Sequence, residues 1–224
     1  MKSGGVGGEV EPVRWPGGRP DSDAPRLLLA THNEHKVAEL RAILEAAGAL
    51  GPMRLTGAGE LGLVAPVEDA ITFSDNALAK ARACSAATGL PALADDSGLC
   101  VQALGSAPGV FSARWAGGHG DDSANLALLL DQLRDVRDED RAAWFECAAA
   151  LVTPDGREVV ETGRLTGRLA REPRGSGGFG YDPILVPDGY TVTAAELTAE
   201  EKNAISHRGR AFRALAPAIR ALWS

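Results

Sequence analysis

Aromatic residues make up only 5% of this 224-residue chain, and cysteine appears three times. With so few rings, the core has to be assembled mainly from Ala, Leu and Val within the 45% of residues that are hydrophobic. Cys84, Cys100 and Cys147 form no Cys-x-x-Cys pair, and the odd count argues against a disulfide framework and a zinc site. Positive charge is also scarce: 23 Lys and Arg face 30 Asp and Glu, for a formal net charge of −7. That balance argues against a broad nucleic-acid-binding surface, so an anionic ligand would need a local basic pocket or a bridging cation. No apolar run approaches the roughly 18 residues that span a bilayer. Residues 1–26 lack the apolar stretch of a signal peptide, and Glu9, Glu11, Asp21 and Asp23 make them too acidic for a transit peptide. They read as a disordered tail ahead of one domain, 27–224, in a cytoplasmic protein with no membrane or nucleic-acid partner.

What is present alternates between extended and helical patterns. Leu27-Leu28-Leu29-Ala30 reads as a buried strand. A helix follows, with Val37, Leu40, Ile43, Leu44 and Ala47 at helical spacing and Gly48 as its stop. After a loop-like stretch with a weak strand, residues 74–88 read as a second helix with a face of small residues. Pro91-Ala92-Leu93-Ala94 reads as a strand ending at Asp95-Asp96-Ser97-Gly98, and Leu99-Cys100-Val101 resumes the extended chain. Residues 105–120 read as a long loop, and a third helix starts near Asp122. Residues 144–152 and 158–165 form a hairpin around Pro154-Asp155-Gly156, and Ile184-Leu185-Val186 is a short strand. Thr198-Ala199-Glu200-Glu201 fits a helix-start capping box, and Pro217 is expected to kink or break the last helix. The alternation implies an α/β fold with a mixed sheet.

Four segments are richer in polar residues and glycine than packing requires. Asp95 and Asp96 are adjacent on an extended segment, so they project to opposite faces, and carboxylates suit a hard cation. Asp95-Asp96-Ser97-Gly98 is also the composition of an ordinary turn. Thr31-His32-Asn33-Glu34-His35-Lys36 sits between a strand and a helix N-terminus, where a hydroxyl, an amide and an ammonium can cradle phosphate. A plain capped helix explains it as well. Gly175-Ser176-Gly177-Gly178-Phe179-Gly180 matches G-x-G-x-x-G, yet no strong strand precedes it and Tyr181-Asp182-Pro183 cannot open the required helix. It reads instead as a flexible clamp presenting Phe179 to a base, or as a loop that Phe179 anchors in the core. Lys202 and Ser206-His207-Arg208-Gly209 are a polar inter-helix turn or a set of donors for phosphate or a keto oxygen. The whole chain has four lysines, which draws attention to Lys36 and Lys202 as compact point charges. No Walker-A sequence and no G-x-S-x-G elbow is present.

Six collinear strings resemble the inosine triphosphate pyrophosphatase family. They are Ala30-Thr31-His32-Asn33-Glu34-His35-Lys36, Thr72-Phe73-Ser74-Asp75-Asn76-Ala77, Ala94-Asp95-Asp96-Ser97-Gly98-Leu99, Pro108-Gly109-Val110-Phe111-Ser112-Ala113-Arg114, Gly177-Gly178-Phe179-Gly180-Tyr181-Asp182-Pro183 and Glu201-Lys202-Asn203-Ala204-Ile205-Ser206-His207-Arg208-Gly209. The resemblance implies two α/β lobes flanking a deep cleft around a long mixed sheet, in a cytoplasmic homodimer. It implies hydrolysis of inosine and xanthosine triphosphates to the monophosphate and pyrophosphate, with Mg²⁺ as cofactor. Thr31, His32, Asn33, Glu34, His35 and Lys36 would then hold the triphosphate. Glu68 and Asp96 would bind Mg²⁺, Asp96 would also activate the attacking water, Asp95 would assist, and Ser97 would touch the substrate. Phe179, Gly180, Tyr181, Asp182, Lys202, His207 and Arg208 would surround the base and phosphates. Glu68-Asp69-Ala70 departs from the family's usual Glu-Thr-Gly. A phosphatase releasing single phosphates and a non-catalytic nucleotide sensor are the rival readings.

Overall fold

The computed structural model describes residues 26–64, 66–118 and 120–224. The expected tail therefore lies outside the described residues, except for Arg26, which opens the first strand. Six strands are joined in one mixed sheet: β1 (Arg26–Leu29), β2 (Arg54–Gly57), β3 (Ala92–Val101), β4 (Ala142–Val152), β5 (Glu158–Leu169) and β6 (Leu185–Pro187). Five helices pack on it: α1 (Glu34–Ala46), α2 (Phe73–Thr88), α3 (Asp122–Gln132), α4 (Ala199–Ile205) and α5 (His207–Arg220). The sheet order is β2-β1-β3-β4-β5-β6, with β1 parallel to β2 and β3 and the remaining pairs antiparallel.

Helix ends follow local chemistry. Thr72 caps α2 by accepting from Asp75 N, and Gly89 closes it in the left-handed region. Thr198 and Glu201 form the expected capping box of α4. Pro217 does not break α5, which runs on to Arg220. The ring is exposed and lies in the last turn, so the one hydrogen bond it removes faces water.

β3 is one unbroken strand of ten residues, where the sequence suggested an end at Asp95. Its pairing with β4 runs without a gap from Ala92↔Val152 to Val101↔Ala143. The parallel partner, however, stops early, since β1 pairs only through Leu28↔Ala92 and Leu29↔Leu93. Asp95 and Asp96 thus lie mid-strand, just past the point where the neighbour ends. The vacated edge is taken by residues 107–112, which also corrects the long-loop reading. A 3-10 turn at Gly109–Arg114 sits there, Val101 N donates to Ala107 O, and Ser112 Oγ accepts from Leu99 N at 2.9 Å. Gly98 permits this approach, because a Cβ there would collide with Gly109 O and Ser112 Oγ.

Two main cores lie at opposite ends of the sheet. One packs Leu27, Leu40, Leu44, Phe212 and Ile219 from β1, α1 and α5, and the other packs Leu99, Leu129, Phe145, Leu165 and Ile184. A third cluster is built almost wholly of alanine. Ala77 and Ala81 of α2 meet Ala94, Ala148 and Ala150, which brings α2 close over the sheet beside Asp96. Gly163 does the same for α5, since a Cβ on it would strike His207 O. Small residues therefore fix how near two helices approach the carboxylate pair.

Candidate active site

The site forms where β3 passes between α1 and α5 on one face and α2 on the other. Asp95 is buried, and its Oδ2 accepts from Arg208 Nε at 3.1 Å and lies 3.7 Å from Lys36 Nζ. Burial alone would push its carboxyl up, but Lys36, Arg208 and Lys80 together hold it well below the usual carboxylate range. Asp96 points the other way, where its Oδ2 accepts from Asn76 Nδ2 at 2.9 Å and its Oδ1 is 3.7 Å from Lys80 Nζ. Burial raises this carboxyl, Lys80 and Asn76 offset it only in part, and the charges of Glu68 and Asp95 raise it further. Lys80 itself stays charged: burial opposes its charge, but Asp95, Asp96 and Glu68 outweigh that and raise it. The two directions are consistent, because one ammonium is shared by Asp96 and Glu68, whereas Asp95 also draws on Lys36 and Arg208.

Glu68 lies 2.9 Å from the same ammonium, and Arg114 donates to its backbone carbonyl at 3.2 Å. Asn76 also accepts from Ala70 N, which ties the segment carrying Glu68 to α2. Glu68 and Asp96 hence converge on one cation, although 28 residues and a helix separate them in sequence.

The segment 31–36 shapes the other wall. Asn33 N donates to Thr31 Oγ1, and Asn33 Oδ1 accepts from Lys36 N, both at 3.2 Å, so these side chains order the start of α1. His32 Nε2 donates to Leu63 O at 2.6 Å and joins this turn to the following loop. Glu34 is exposed in the first turn, and the side chain of His35 lies outside the described residues. A cavity of about 330 Å³ opens between these elements, with Thr31, His32, Lys36, Glu68, Lys80 and Asp95 on its polar side. Two ammonium groups projecting into one cavity suit a polyanion.

The remaining candidates come from the chain's last third. Phe179 is 46% exposed, with Lys202 Nζ 5.3 Å and the Arg208 guanidinium 5.5 Å from its ring centre. Asp182 holds that loop by accepting from Phe179 N at 2.8 Å and from Lys202. Gly180 N donates to Asp122 at the start of α3. Tyr181 is buried in the second core, and its hydroxyl donates to Ser112 O at 2.9 Å, so it supports the loop from below. Arg208 is only 1% exposed and donates to Asp95, to Glu39 Oε2 at 3.0 Å and to Ser97 Oγ at 3.2 Å. His207 stacks on Phe145 at 4.9 Å, and its buried Nδ1 has no hydrogen-bond partner. Burial, Arg208 and Lys202 hold it well below its ordinary value, so it is neutral at pH 7.

Sequence reading missed Lys80, Asn76 and Glu39. The signal for Lys80 and Asn76 was available: on α2 they share the inward face with Ala77, Ala81 and Cys84, polar among small residues. Glu39 follows Lys36 by three residues and so shares its face of α1.

The model of the Ham1 family matches residues 27–218. The dITP/XTP pyrophosphatase of Streptomyces coelicolor is 62% identical over 88% of this chain and 98% of its own length. That of Mycobacterium tuberculosis is 56% identical over 88% and 96%. Among solved structures, the nucleoside-triphosphatase / dITP/XTP pyrophosphatase of Mycobacterium abscessus is 54% identical, with a TM-score of 0.71 over 87% of this chain and all of that one. A HAM1 protein from Coxiella burnetii is 42% identical, with a TM-score of 0.79 over 88% and 99%. The motif resemblance, the six-stranded mixed sheet and these relatives agree over nearly the whole described chain, which belongs to the Ham1 family.

Proposed function

We propose that this protein is a magnesium-dependent pyrophosphohydrolase that cleaves dITP, ITP and XTP to the nucleoside monophosphate and pyrophosphate. The names of its relatives support the substrates, since those proteins are called dITP/XTP pyrophosphatases. The observation that carries the chemistry is the convergence of Glu68 and Asp96 on one cation beside a cavity that two lysines enter.

The donor set fits Mg²⁺. Both groups are hard carboxylate oxygens, and they share a single ammonium, that of Lys80. Among the described residues no group of three or more His, Cys, Asp or Glu could hold a metal. Two carboxylates, with substrate phosphates and water completing the shell, is an arrangement magnesium favours. When bound, the ion would supply charge neutralisation at the phosphates. The chain's own residues do the rest. Lys36 and Lys80 meet the triphosphate, Thr31 and Asn33 order the turn beneath it, and Asp96 accepts a proton from the attacking water. Asp95 holds Lys36 and Arg208 in place, and Ser97 accepts from Arg208. Phe179 covers the base, while Gly180, Asp182 and Lys202 hold that loop over the cleft. His207, buried and stacked on Phe145, helps seat the start of α5 and with it Arg208. A homodimer belongs to the same proposal. Val64, Val67, Ile71 and Phe111 are exposed apolar side chains that a second copy would cover.

The test is turnover of dITP, ITP and XTP against ATP and GTP, with and without Mg²⁺, reading pyrophosphate and orthophosphate separately. Pyrophosphate release from the first three, dependent on Mg²⁺, is expected. Orthophosphate as the first product would make the protein a phosphatase, and binding without turnover would make it a sensor. Equal rates on dITP and ATP would refute the proposed selectivity.

A further inference from the structure

Arg208 occupies an electrostatically poor position. It lies in the first turn of α5, where the helix dipole presents positive charge, and that turn holds no acidic residue. It is also 1% exposed, so water does not solvate the guanidinium. A buried arginine at a helix N-terminus needs anions from other elements. Two carboxylates meet it. Asp95 reaches Nε from β3, but Asp95 is also paired with Lys36. Glu39 reaches Nη1 from α1 at 3.0 Å, its side chain 17% exposed, and it forms no other ion pair among the described residues. With Ser97 Oγ on Nη2, three acceptors take one donor from each guanidinium nitrogen. A guanidinium has five N–H groups, so one remains on each terminal nitrogen. Its plane is fixed 5.5 Å from the Phe179 ring, over the cleft.

We propose that Glu39 is a positioning residue whose single task is to orient the Arg208 guanidinium, so that the two N–H groups left over face the substrate beneath Phe179. The inference rests on the function proposed above. Asp95 fixes only Nε, about which the head group can still turn. Glu39 on Nη1 and Ser97 on Nη2 remove that freedom. Ser97 is a neutral acceptor, so Glu39 supplies the charge-assisted bond of that pair and most of the restraint.

A double-mutant cycle on the full-length protein tests this, with kcat/KM measured for dITP and for ATP. Glu39→Ala is expected to lose about 10²-fold on dITP, the scale of a misplaced catalytic or binding group. It should also narrow the preference for dITP over ATP in the same sense as Arg208→Ala. A merely structural role would slow both substrates equally. Adding Glu39→Ala to Arg208→Ala should change kcat/KM by no more than about twofold, because the partner through which Glu39 acts is already gone. Glu39→Gln keeps an acceptor of the same length and should recover part of the loss. If Glu39→Ala does not fold, the cycle with Glu39→Gln carries the same expectation. The proposal is overturned if the two substitutions multiply, if dITP and ATP fall together, or if Glu39→Ala has wild-type kcat/KM. If wild-type protein turns over no dITP at all, the reading of function fails and this proposal with it. A multiplicative cycle alongside normal wild-type turnover removes only the role of Glu39.

Discussion

The two faces of β3 at Asp95 and Asp96 differ more than adjacent identical residues suggest. On the Asp95 face, α1 and α5 bring together two acids and two bases: the buried Asp95 and Arg208 with the partly exposed Glu39 and Lys36. Charges balance there, and Asp95 stays ionised far into acid. On the Asp96 face, α2 offers one lysine to Asp96 and Glu68 together, and the carboxyl is pushed up. The difference assigns the labour. A charge-balanced cluster holds geometry, whereas two carboxylates that share one ammonium are suited to take up a further cation.

The sharpest way to break this comparison is to remove each carboxylate in turn. Asp95→Ala is expected to cost about 3–5 kcal/mol of folding stability, because it strands Arg208 and leaves Lys36 without its partner. Chemical denaturation reads this, and a loss below about 1 kcal/mol would show that the balanced face is not structural. Asp96→Asn should do the reverse: turnover falls by about 10²-fold or more while the unfolding midpoint barely moves. Wild-type turnover with ordinary Mg²⁺ dependence would contradict the role given to Asp96.

Lys36→Ala probes the seam between the faces. It removes a charge-assisted contact to phosphate, so kcat/KM should fall roughly tenfold or more, by the same factor on ITP and XTP. A changed preference between those two bases would mean that Lys36 senses the base.

The smallest effect concerns His207, buried beside Arg208 at the start of α5. Its folded value lies well below 6.5, while the unfolded chain titrates near 6.5. Below that pH the unfolded state binds a proton that the folded state does not. Stability is therefore complete above pH ~6.5 and declines as pH falls, with a slope of at most about 1.4 kcal/mol per unit from this group. Melting temperature against pH between 7 and 5 should show the decline, and His207→Gln should flatten it. An unchanged slope in His207→Gln would place the proton elsewhere.

Legibility in the sequence followed from how far each signal reaches. The capping box at Thr198 and the αL stop at Gly89 need only neighbouring residues, and both were readable. β3 was not readable as one strand because it is buried on both faces, and such strands carry no alternation to reveal their length. Two carboxylates in the middle looked like a turn. Pro217 was over-read, because a proline rule is blind to where the exposed side of the last turn lies. Glu39 stayed hidden since a lone acid on a helix has no meaning until its partner is known, and Arg208 lies 169 residues away.

By itself, the sequence determined the alternation of strands and helices and the family motifs, and its acidic balance left an anionic ligand to a local basic pocket or a bridging cation. It placed Asp95 and Asp96 side by side and on opposite faces, since that follows from the period of an extended chain. Tertiary structure alone decided that they should behave differently. The charges that lower one carboxyl arrive from α1 and α5, Arg208 lying 113 residues from Asp95, and the lysine that only partly satisfies the other arrives from α2. Coulomb interactions depend on distance in space and on exclusion of water, and neither is written in the order of residues.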